Sequence, residues 1–220
     1  MRKTTFLICR VVVLVFIIIK LSANLTYANI INVPGDYPTI QQGLDYAIAG
    51  DTVLVAAGIY VENIIWTAMN GIKLIGEAGK DSTIINGDSL ASVIRFEEDL
   101  GGIIDGSTLI EGFTITNGNA QGDWPESDGG GIFLWESSPS LDNVIITDNS
   151  ASAWGGGIYC WDSCSPSLEN VTVSENTGGG IYCRDNSSPN LVNCIFWNDF
   201  PQEIYFPVIG SPNSITIAYS

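Results

Sequence analysis

Apolar residues follow a helical spacing in one short stretch near the start of the chain. Thr39 and Gln42 stand at the two ends of a capping box, and Gly50 interrupts the apolar pattern as a C-terminal stop. The apolar face of this stretch comprises Ile40, Leu44, Ala47 and Ile48. The spacing predicts an amphipathic helix of about three turns from Thr39 to Ala49.

From Asp51 onward the pattern changes to short apolar runs separated by Gly, Asn and Asp, which is typical of strands joined by tight turns. The second half of the chain is an internal repeat. Three Gly-Gly-Gly-Ile copies begin strands at residues 129–136, 155–162 and 178–185, with offsets of 26 and 23 residues. Each copy is followed by Ser-Pro and a second apolar strand, at residues 141–146, 168–173 and 191–196, and an earlier copy of that strand lies at 110–115.

A period of this length, built from short strands and turns, is too short for a propeller blade and lacks the helix of a leucine-rich repeat. It predicts coils of three strands, stacked so that each residue lies about 4.8 Å from its counterpart in the next coil. One repeat position holds Gly112 in the earliest copy and Asn143, Asn170 and Asn193 in the later ones. Gly and Asn tolerate a left-handed backbone, so this position predicts one sharp bend in every coil.

These repeats resemble the right-handed parallel β-helix proteins of the pectin-lyase-like superfamily, and the Gly-Gly-Gly-Ile-Tyr-Cys copies are similar to those of bacterial surface proteins. The resemblance covers roughly residues 30–220 and includes the opening segments 33–41 and 50–55. It implies an all-β fold, a right-handed single-stranded parallel β-helix (solenoid) with a short N-terminal capping α-helix. The domain prediction is a cap at 29–50 and coils over 51–220 without a C-terminal cap.

The N-terminus carries the pattern of a secretory signal. Basic residues open it, an apolar run follows from Val11 to Ile19, and a polar stretch ends at Ala28. We predict a signal peptide over residues 1–28, and the alternative is an uncleaved membrane anchor, for which the apolar run is short. No second run approaches a spanning length, so the mature chain is expected to have no membrane span. The expected location is extracellular or on the cell surface.

Charge and composition exclude several functions. Cleavage after Ala28 would leave four basic residues against 24 acidic ones, a net charge of −20. Such a surface repels phosphate backbones, which excludes nucleic acid as a partner. The chain has no His, which removes Ser-His-Asp triads and imidazole zinc sites.

Strand alternation predicts which repeat positions face inward. Ile132, Ile158 and Ile181 are expected in the core, and Cys160 and Cys183 are expected there as small apolar side chains. A disulfide between the two cysteines of adjacent coils is the alternative, although stacked side chains fit its torsion poorly. Cys194 is also expected in the core, whereas Cys164 lies in a turn.

The outward positions predict an aromatic strip beside carboxylates. The strip consists of Phe133, Tyr159, Tyr182, Trp135, Trp161, Glu136, Asp162, Asp185 and Arg184. Exposed aromatic rings stack on the apolar faces of sugars while carboxylates accept hydroxyl protons, so a polysaccharide or another surface component is the expected partner. The alternative is that the rings only stack on one another, with Arg184 covering Trp161.

Two features raise the question of calcium. The interval from Gly112 to Asn143 is 31 residues, against 27 and 23 for the next two, and the extra residues hold Asp123, Glu126 and Asp128. These carboxylates form a candidate Ca²⁺ site, although their spacing is not that of an EF-hand, and an acidic solvated loop is the alternative. The acidic row Glu136, Asp162 and Asp185 predicts raised carboxyl pKa values, relief by Arg184, or a bound cation. No other cofactor is expected.

The resemblance also implies that the catalytic residues of the family's enzymes should be sought in this sequence. The family's hydrolases use clustered Asp residues with a Gly-His-Gly, its esterases use paired Asp with Arg and Gln, and neither set is present. Its lyases use a base beside a Ca²⁺-neutralised carboxylate, for which only Arg184 is suitably placed. The expected function is a non-catalytic surface protein, and the alternative is a Ca²⁺-dependent polysaccharide lyase. The strand at residues 214–220 leaves an open end, which predicts a fragment of a longer β-helix or end-to-end self-association.

Overall fold

The computed structural model describes residues 28–97, 104–207 and 214–218 of the chain. Except for Ala28, the predicted signal peptide lies outside these residues. Three long sheets and one two-stranded sheet are present, and all their strand pairs are parallel. Within the described part of the chain, no helix is long and apolar enough to cross a membrane.

The strands are numbered in chain order. Sheet 1 contains β1 (Ile30–Val33), β2 (Thr52–Val55), β5 (Lys73–Gly76), β8 (Leu109–Glu111), β12 (Ser140–Asp142), β16 (Ser167–Glu169), β19 (Asn190–Val192) and β22 (Thr216–Ala218). Sheet 2 contains β3 (Gly58–Val61), β6 (Thr83–Asn86), β9 (Thr114–Thr116), β13 (Ile145–Thr147), β17 (Thr172–Ser174) and β20 (Ile195–Trp197). Sheet 3 contains β4 (Ile64–Ile65), β7 (Ile94–Phe96), β11 (Ile132–Trp135), β15 (Ile158–Trp161), β18 (Ile181–Arg184) and β21 (Ile204–Tyr205). The two-stranded sheet contains β10 (Asn119–Ala120) and β14 (Ser150–Ala151).

From β2 onward the chain passes through sheets 1, 2 and 3 in turn, so one strand from each of these sheets makes one coil of a right-handed parallel β-helix, and two coils add a strand of the two-stranded sheet. The predicted isoleucine column is present in the interior: Ile132 pairs with Ile158, Ile158 with Ile181, and all three are fully buried. Alternate side chains of each strand fill the space inside the coils, which is the single core of this fold. The predicted architecture is therefore confirmed.

The predicted bend is also confirmed. Gly112 has φ +76°, and Asn143, Asn170 and Asn193 have φ between +52° and +56°. A left-handed backbone at one residue turns each coil from sheet 1 into sheet 2. Side-chain hydrogen bonds join neighbouring coils at this bend, since the amide of Asn193 donates to Asn170 at 2.6 Å and that of Asn170 donates to Asp142 at 2.9 Å.

The capping helix α1 (Ile40–Tyr46) is shorter than predicted. Thr39 caps it as expected, with its hydroxyl accepting from the N–H of Gln42 at 3.2 Å. The carboxylate of Asp51, which lies in the next segment, accepts from the N–H of Ile48 at 3.0 Å. That bond draws the chain out of the helix after Tyr46 and leaves Ile48 exposed, contrary to the predicted apolar face.

Helix α1 covers the first coil through its side chains. The amide of Gln41 donates to the carbonyl of Ile65 at 3.0 Å and accepts from the N–H of Ile65 at 2.9 Å. It thereby completes the hydrogen bonds of β4, the edge strand of sheet 3. At the other end of the array, β20, β21 and β22 are edge strands among the described residues, and Trp197 and Ile217 there are exposed.

All four cysteines of the described residues are free and buried. Cys160 pairs with Cys183 in the interior, as predicted for small apolar side chains. Cys164 is buried as well, although its turn position suggested otherwise, because its thiol turns inward and donates to the carbonyl of Trp161 at 3.0 Å. Burial raises the pKa of the Cys164 thiol, so this group stays protonated at neutral pH.

A second ladder of buried side chains, which the sequence analysis missed, joins the turns after sheet 2. Asn149 accepts through Oδ1 from the N–H of Gly118, Asn176 accepts from the N–H of Asn149, and Asp199 accepts from the N–H of Asn176, at 2.9 to 3.0 Å. Each side chain thus satisfies a buried backbone donor of the preceding coil, which the coil itself leaves without a partner.

We predict that Asn176→Ala lowers the free energy of unfolding by about 2–4 kcal/mol, because it leaves several buried polar partners unsatisfied. Chemical denaturation measures the change. Thr172→Ala, on the outer side of β17 in the same coil, is the control and should cost less than about 1 kcal/mol. Equal losses in the two variants would contradict a stabilising role of the ladder.

Candidate functional site

The outer surface of sheet 3 carries a column of aromatic rings in register. Phe133 pairs with Tyr159, Tyr159 with Tyr182, and Tyr182 with Tyr205. The ring centroids of the first two pairs lie 5.6 and 5.2 Å apart with nearly parallel planes. These side chains point away from the coil interior, as predicted.

The same column is buried, and the prediction that it is exposed was wrong. Phe133, Tyr159 and Tyr182 are 0%, 1% and 6% exposed. They form a second apolar cluster outside the coil, with Trp135, Trp161 and Tyr205 packed against it. Trp154, in the loop before β15, adds to the cover by stacking on Tyr182 at 5.2 Å. The column is therefore packing, and a ligand can reach only the rings around it.

A neighbouring column of larger rings remains partly exposed. Trp135 and Trp161 stack with centroids 5.3 Å apart and planes 8° from parallel. The guanidinium of Arg184 lies 5.1 Å from the Trp161 ring, which is the cation–π contact expected from their shared repeat position. Self-stacking is thus real, and it still leaves indole surface accessible to solvent.

Trp124, which the sequence analysis did not include in the strip, completes this surface. Its ring lies 4.3 Å from that of Trp161 and 5.2 Å from that of Trp135, tilted by 52° and 54°. It is 47% exposed. The three indoles therefore form a corner. We call these three residues, Trp124, Trp135 and Trp161, the tryptophan corner.

The loop that carries Trp124 is held by Asp128. The carboxylate of Asp128 accepts from the N–H of Trp154 at 2.9 Å, and the carbonyl of Pro125 accepts from the N–H of Asp128. Burial raises the pKa of Asp128 to about 6, against the stabilising hydrogen bond from Trp154 and the charge of Arg95. This buried carboxyl ties together the two loops that cover sheet 3.

The three carboxylates proposed for calcium do not converge. Asp123 and Glu126 are exposed, whereas Asp128 is 2% exposed and bonded to Trp154. No group of three or more His, Cys, Asp or Glu side chains is arranged to hold a metal ion in the described residues. The structure thus does not gather these three carboxylates into one cluster, and calcium binding by this protein stays a prediction.

The acidic row lies at the ends of the sheet 3 strands, beside the tryptophan corner. Glu136, Asp162 and Asp185 all have a left-handed backbone, with φ between +43° and +55°. Asp185 forms an ion pair with Arg184 at 3.0 Å, which is the predicted relief of repulsion. Although partial burial disfavours the charged guanidinium, the carboxylate of Asp185 keeps the pKa of Arg184 above its ordinary value.

Arg95 was predicted in an apolar strand, and its role was missed. Its guanidinium lies 4.1 Å from the Phe133 ring, in register at the end of the aromatic column. It bonds to the Glu97 carboxylate at 2.6 Å and to the hydroxyl of Ser92 at 3.0 Å. Arg95 is thus a buried, paired support of the outer cluster.

The comparison with known proteins agrees with this architecture. The family described as "Right handed beta helix region" matches residues 57–206, more than half of the chain. The chain belongs to this right-handed β-helix family. No curated protein sequence matches it.

Several solved structures are similar to this β-helix protein in fold. A pectin methylesterase variant in complex with a hexasaccharide has a TM-score of 0.41 and 16% identity, over 77% of this chain and 56% of that one. Pectin methylesterase from Erwinia chrysanthemi gives 0.39 and 14%, over 80% and 67%. The enzyme from Aspergillus niger gives 0.43 and 12%, over 90% and 86%. At these values the likeness carries no inference about activity, and the chain spans only 56% of the first enzyme's length.

We predict that Asp128→Ala in this β-helix protein releases the loop and lowers the free energy of unfolding by about 1–3 kcal/mol. Asp128→Asn keeps an acceptor for the Trp154 N–H and avoids burying a charge, so it should be at least as stable as the wild type at pH 7. Near-ultraviolet circular dichroism should report the loss of coupling between Trp124 and Trp161 in the Ala variant alone. Asp123→Ala, an exposed change in the same loop, is the control, and a signal change there would refute the anchoring role.

Proposed function

We propose that this protein is an exported, non-catalytic β-helix repeat protein that binds neutral carbohydrate at the tryptophan corner. The observation that carries the proposal is the corner itself: three partly exposed indole rings meet at 4.3 to 5.3 Å on one face. Aromatic faces stack on the apolar faces of sugar rings. A corner offers rings in two orientations, which suits two successive sugar units of a chain.

The polar rim supports the same ligand class. Glu136 and Asp162 are half-buried at the strand ends next to Trp135 and Trp161, where carboxylates can accept sugar hydroxyl protons. The Arg184 guanidinium beside them donates, although it is shared with Asp185. A polyanionic ligand is disfavoured, since the full chain carries a net charge of −16, and removal of the predicted signal peptide makes that charge more negative.

The surroundings of three of the four basic side chains outside the predicted signal peptide favour binding over catalysis, and the fourth, Lys73, lies on sheet 1 rather than beside the corner. Arg184 is engaged by Asp185 and Trp161, and Arg95 is buried against Glu97. The ammonium of Lys80 donates to Asn143, at the bend between sheets 1 and 2 and away from the tryptophan corner. A polysaccharide lyase needs a base beside the substrate, and both arginine side chains are already engaged in ion pairs with carboxylates.

We expect neutral oligosaccharides to perturb the tryptophan fluorescence and Trp161→Ala to remove that response, because the variant deletes one of the three rings that form the corner. The loss of binding should be about 0.5–1.5 kcal/mol or more, a several-fold rise in Kd. Titration of neutral hexasaccharides of glucose, mannose and xylose against a uronate hexasaccharide measures the preference.

Trp197→Ala is the matched control, because Trp197 is an exposed indole on sheet 2 and lies outside the corner. It should leave binding unchanged. An equal effect of the two substitutions, or tighter binding of the uronate, would contradict the proposal. New ultraviolet absorbance from unsaturated products during incubation with uronate polymers would establish the lyase alternative instead.

A further inference from the structure

The buried ladder of Asn149, Asn176 and Asp199 changes chemistry at its last position. In the first two residues the amide oxygen accepts a backbone N–H of the preceding coil, and the amide nitrogen donates to a carbonyl, that of Ile115 for Asn149 and of Ile146 for Asn176. The third residue has a carboxyl group where the others have an amide. It accepts as they do, and only in its neutral form can it also donate.

The geometry shows which oxygen replaces the amide nitrogen. A methyl group placed on Gly131 would lie 3.1 Å from Nδ2 of Asn149, and one on Gly157 would lie 3.1 Å from Nδ2 of Asn176. The equivalent position on Gly180 lies 2.6 Å from Oδ2 of Asp199. Oδ2 of Asp199 therefore occupies the donor position of the ladder.

This oxygen is buried and has no hydrogen-bond partner. Asp199 is 7% exposed, and its other oxygen already accepts from the N–H and the amide of Asn176, at 2.9 and 2.8 Å. Continuing the ladder by one coil places the carbonyl of Val173, which pairs with Ile146, as the expected acceptor. An ionised carboxylate there would oppose a carbonyl oxygen, whereas a carboxylic acid would donate to it.

The charges around Asp199 also favour the neutral form of its carboxyl group. Glu203 lies four residues later, and its carboxylate accepts from the N–H of Asp199 at 3.3 Å, in the role that the next ladder residue plays elsewhere. The carboxyl group of Asp199 also contacts the amide of Asn176, and its Oδ2 faces Gly180. No cation offsets the two carboxyl groups among these neighbours.

We propose that Asp199 is a proton-dependent latch, which holds the last coil of the array on its neighbour as a neutral carboxylic acid and loosens that coil when it ionises. Among the described residues, the last complete coil comprises β19, β20 and β21, with β22 stacked on β19 beyond it. Burial, together with the Glu203 carboxylate, raises the pKa of Asp199 to about 7, against the hydrogen bonds from Asn176. The latch is therefore closed in mildly acidic surroundings and opens around neutral pH.

The sign of the effect follows from linkage. The folded protein binds this proton more tightly than the unfolded chain, whose Asp pKa is about 3.9. Stability from this group is therefore greatest below about pH 4, falls as the pH rises to about 7, and changes little above about pH 8. Asp199→Asn restores the donor permanently and removes this dependence.

Hydrogen exchange at the contact between the last coil and the coil before it, measured between pH 5.5 and 8, tests the latch on the full exported chain. We expect the protection factors of the backbone amides of Asn176, Gly180 and Ile181 to fall at least tenfold over this range in the wild type. In Asp199→Asn they should stay within about twofold, since the group no longer titrates. Asp148→Asn removes one exposed carboxylate at the turn after β13, two coils before the last one, and is the control for charge alone. It should behave as the wild type does.

A second measurement is independent of any variant. The carboxyl carbon of Asp199 in the wild-type protein should titrate by NMR with a pKa at least two units above the ordinary Asp value of about 3.9. A value in the ordinary Asp range, or an Asp199→Asn variant that loosens with pH as the wild type does, would overturn the proposal.

Discussion

Parallel pairing in register is the constraint on which the rest of this structure depends. Because each coil lies directly on the previous one, every side chain meets the side chain at the same repeat position. Isoleucine on isoleucine satisfies this in the core, as in the column through Ile132, Ile158 and Ile181. Only residues that tolerate their own kind as neighbours can occupy such positions repeatedly. The constraint selects aliphatic residues inside, and aromatic rings and amides at the boundary.

Charged residues are the difficult case for a stack of identical positions. The aromatic column begins at Arg95, whose charge is paired with Glu97 and covered by the Phe133 ring. The tryptophan column ends at Arg184, which is paired with Asp185 and lies over Trp161. The cations thus stand at the ends of ring columns, where one face of the ring is available and no second cation follows. Asp199 is the exception, since it ends an amide ladder with Glu203 as its neighbour.

Sequence reasoning predicted the features that repeat. The three-strand coil, the isoleucine column and the left-handed bend at Asn143 and Asn170 all leave a periodic signal, and the structure confirms them. The contact of Arg184 with Trp161 was also predictable from the sequence, because the register of the repeat places the two residues next to each other. These contacts need only the knowledge of which residue stacks on which.

Sequence reasoning missed the features that depend on loops and turns packing back over the coils. Side-chain alternation placed Tyr159 outward correctly, but it contains no information on the loops that carry Trp124 and Trp154 over sheet 3. Helix α1 ends early, and the N–H of Ile48 just beyond it donates to Asp51, a residue outside the apolar pattern. The buried amide ladder had a signal, the Asn or Asp at positions 149, 176 and 199, but polar residues in turns are usually assigned to solvent.

The candidate binding surface lies where the repeat is interrupted, because the interruption supplies a shape that the regular coils lack. A perfectly regular face presents the same short distance between identical groups, which suits self-stacking and leaves little shape for a ligand. The residues inserted between Gly112 and Asn143 break this symmetry by adding Trp124, a ring that has no counterpart in the register and stands at 52° to Trp161. The anchor is Asp128, whose buried carboxyl fixes that loop to Trp154. The regular coils therefore supply a rigid base, and the irregular loop supplies the angle that turns a stack of rings into a corner.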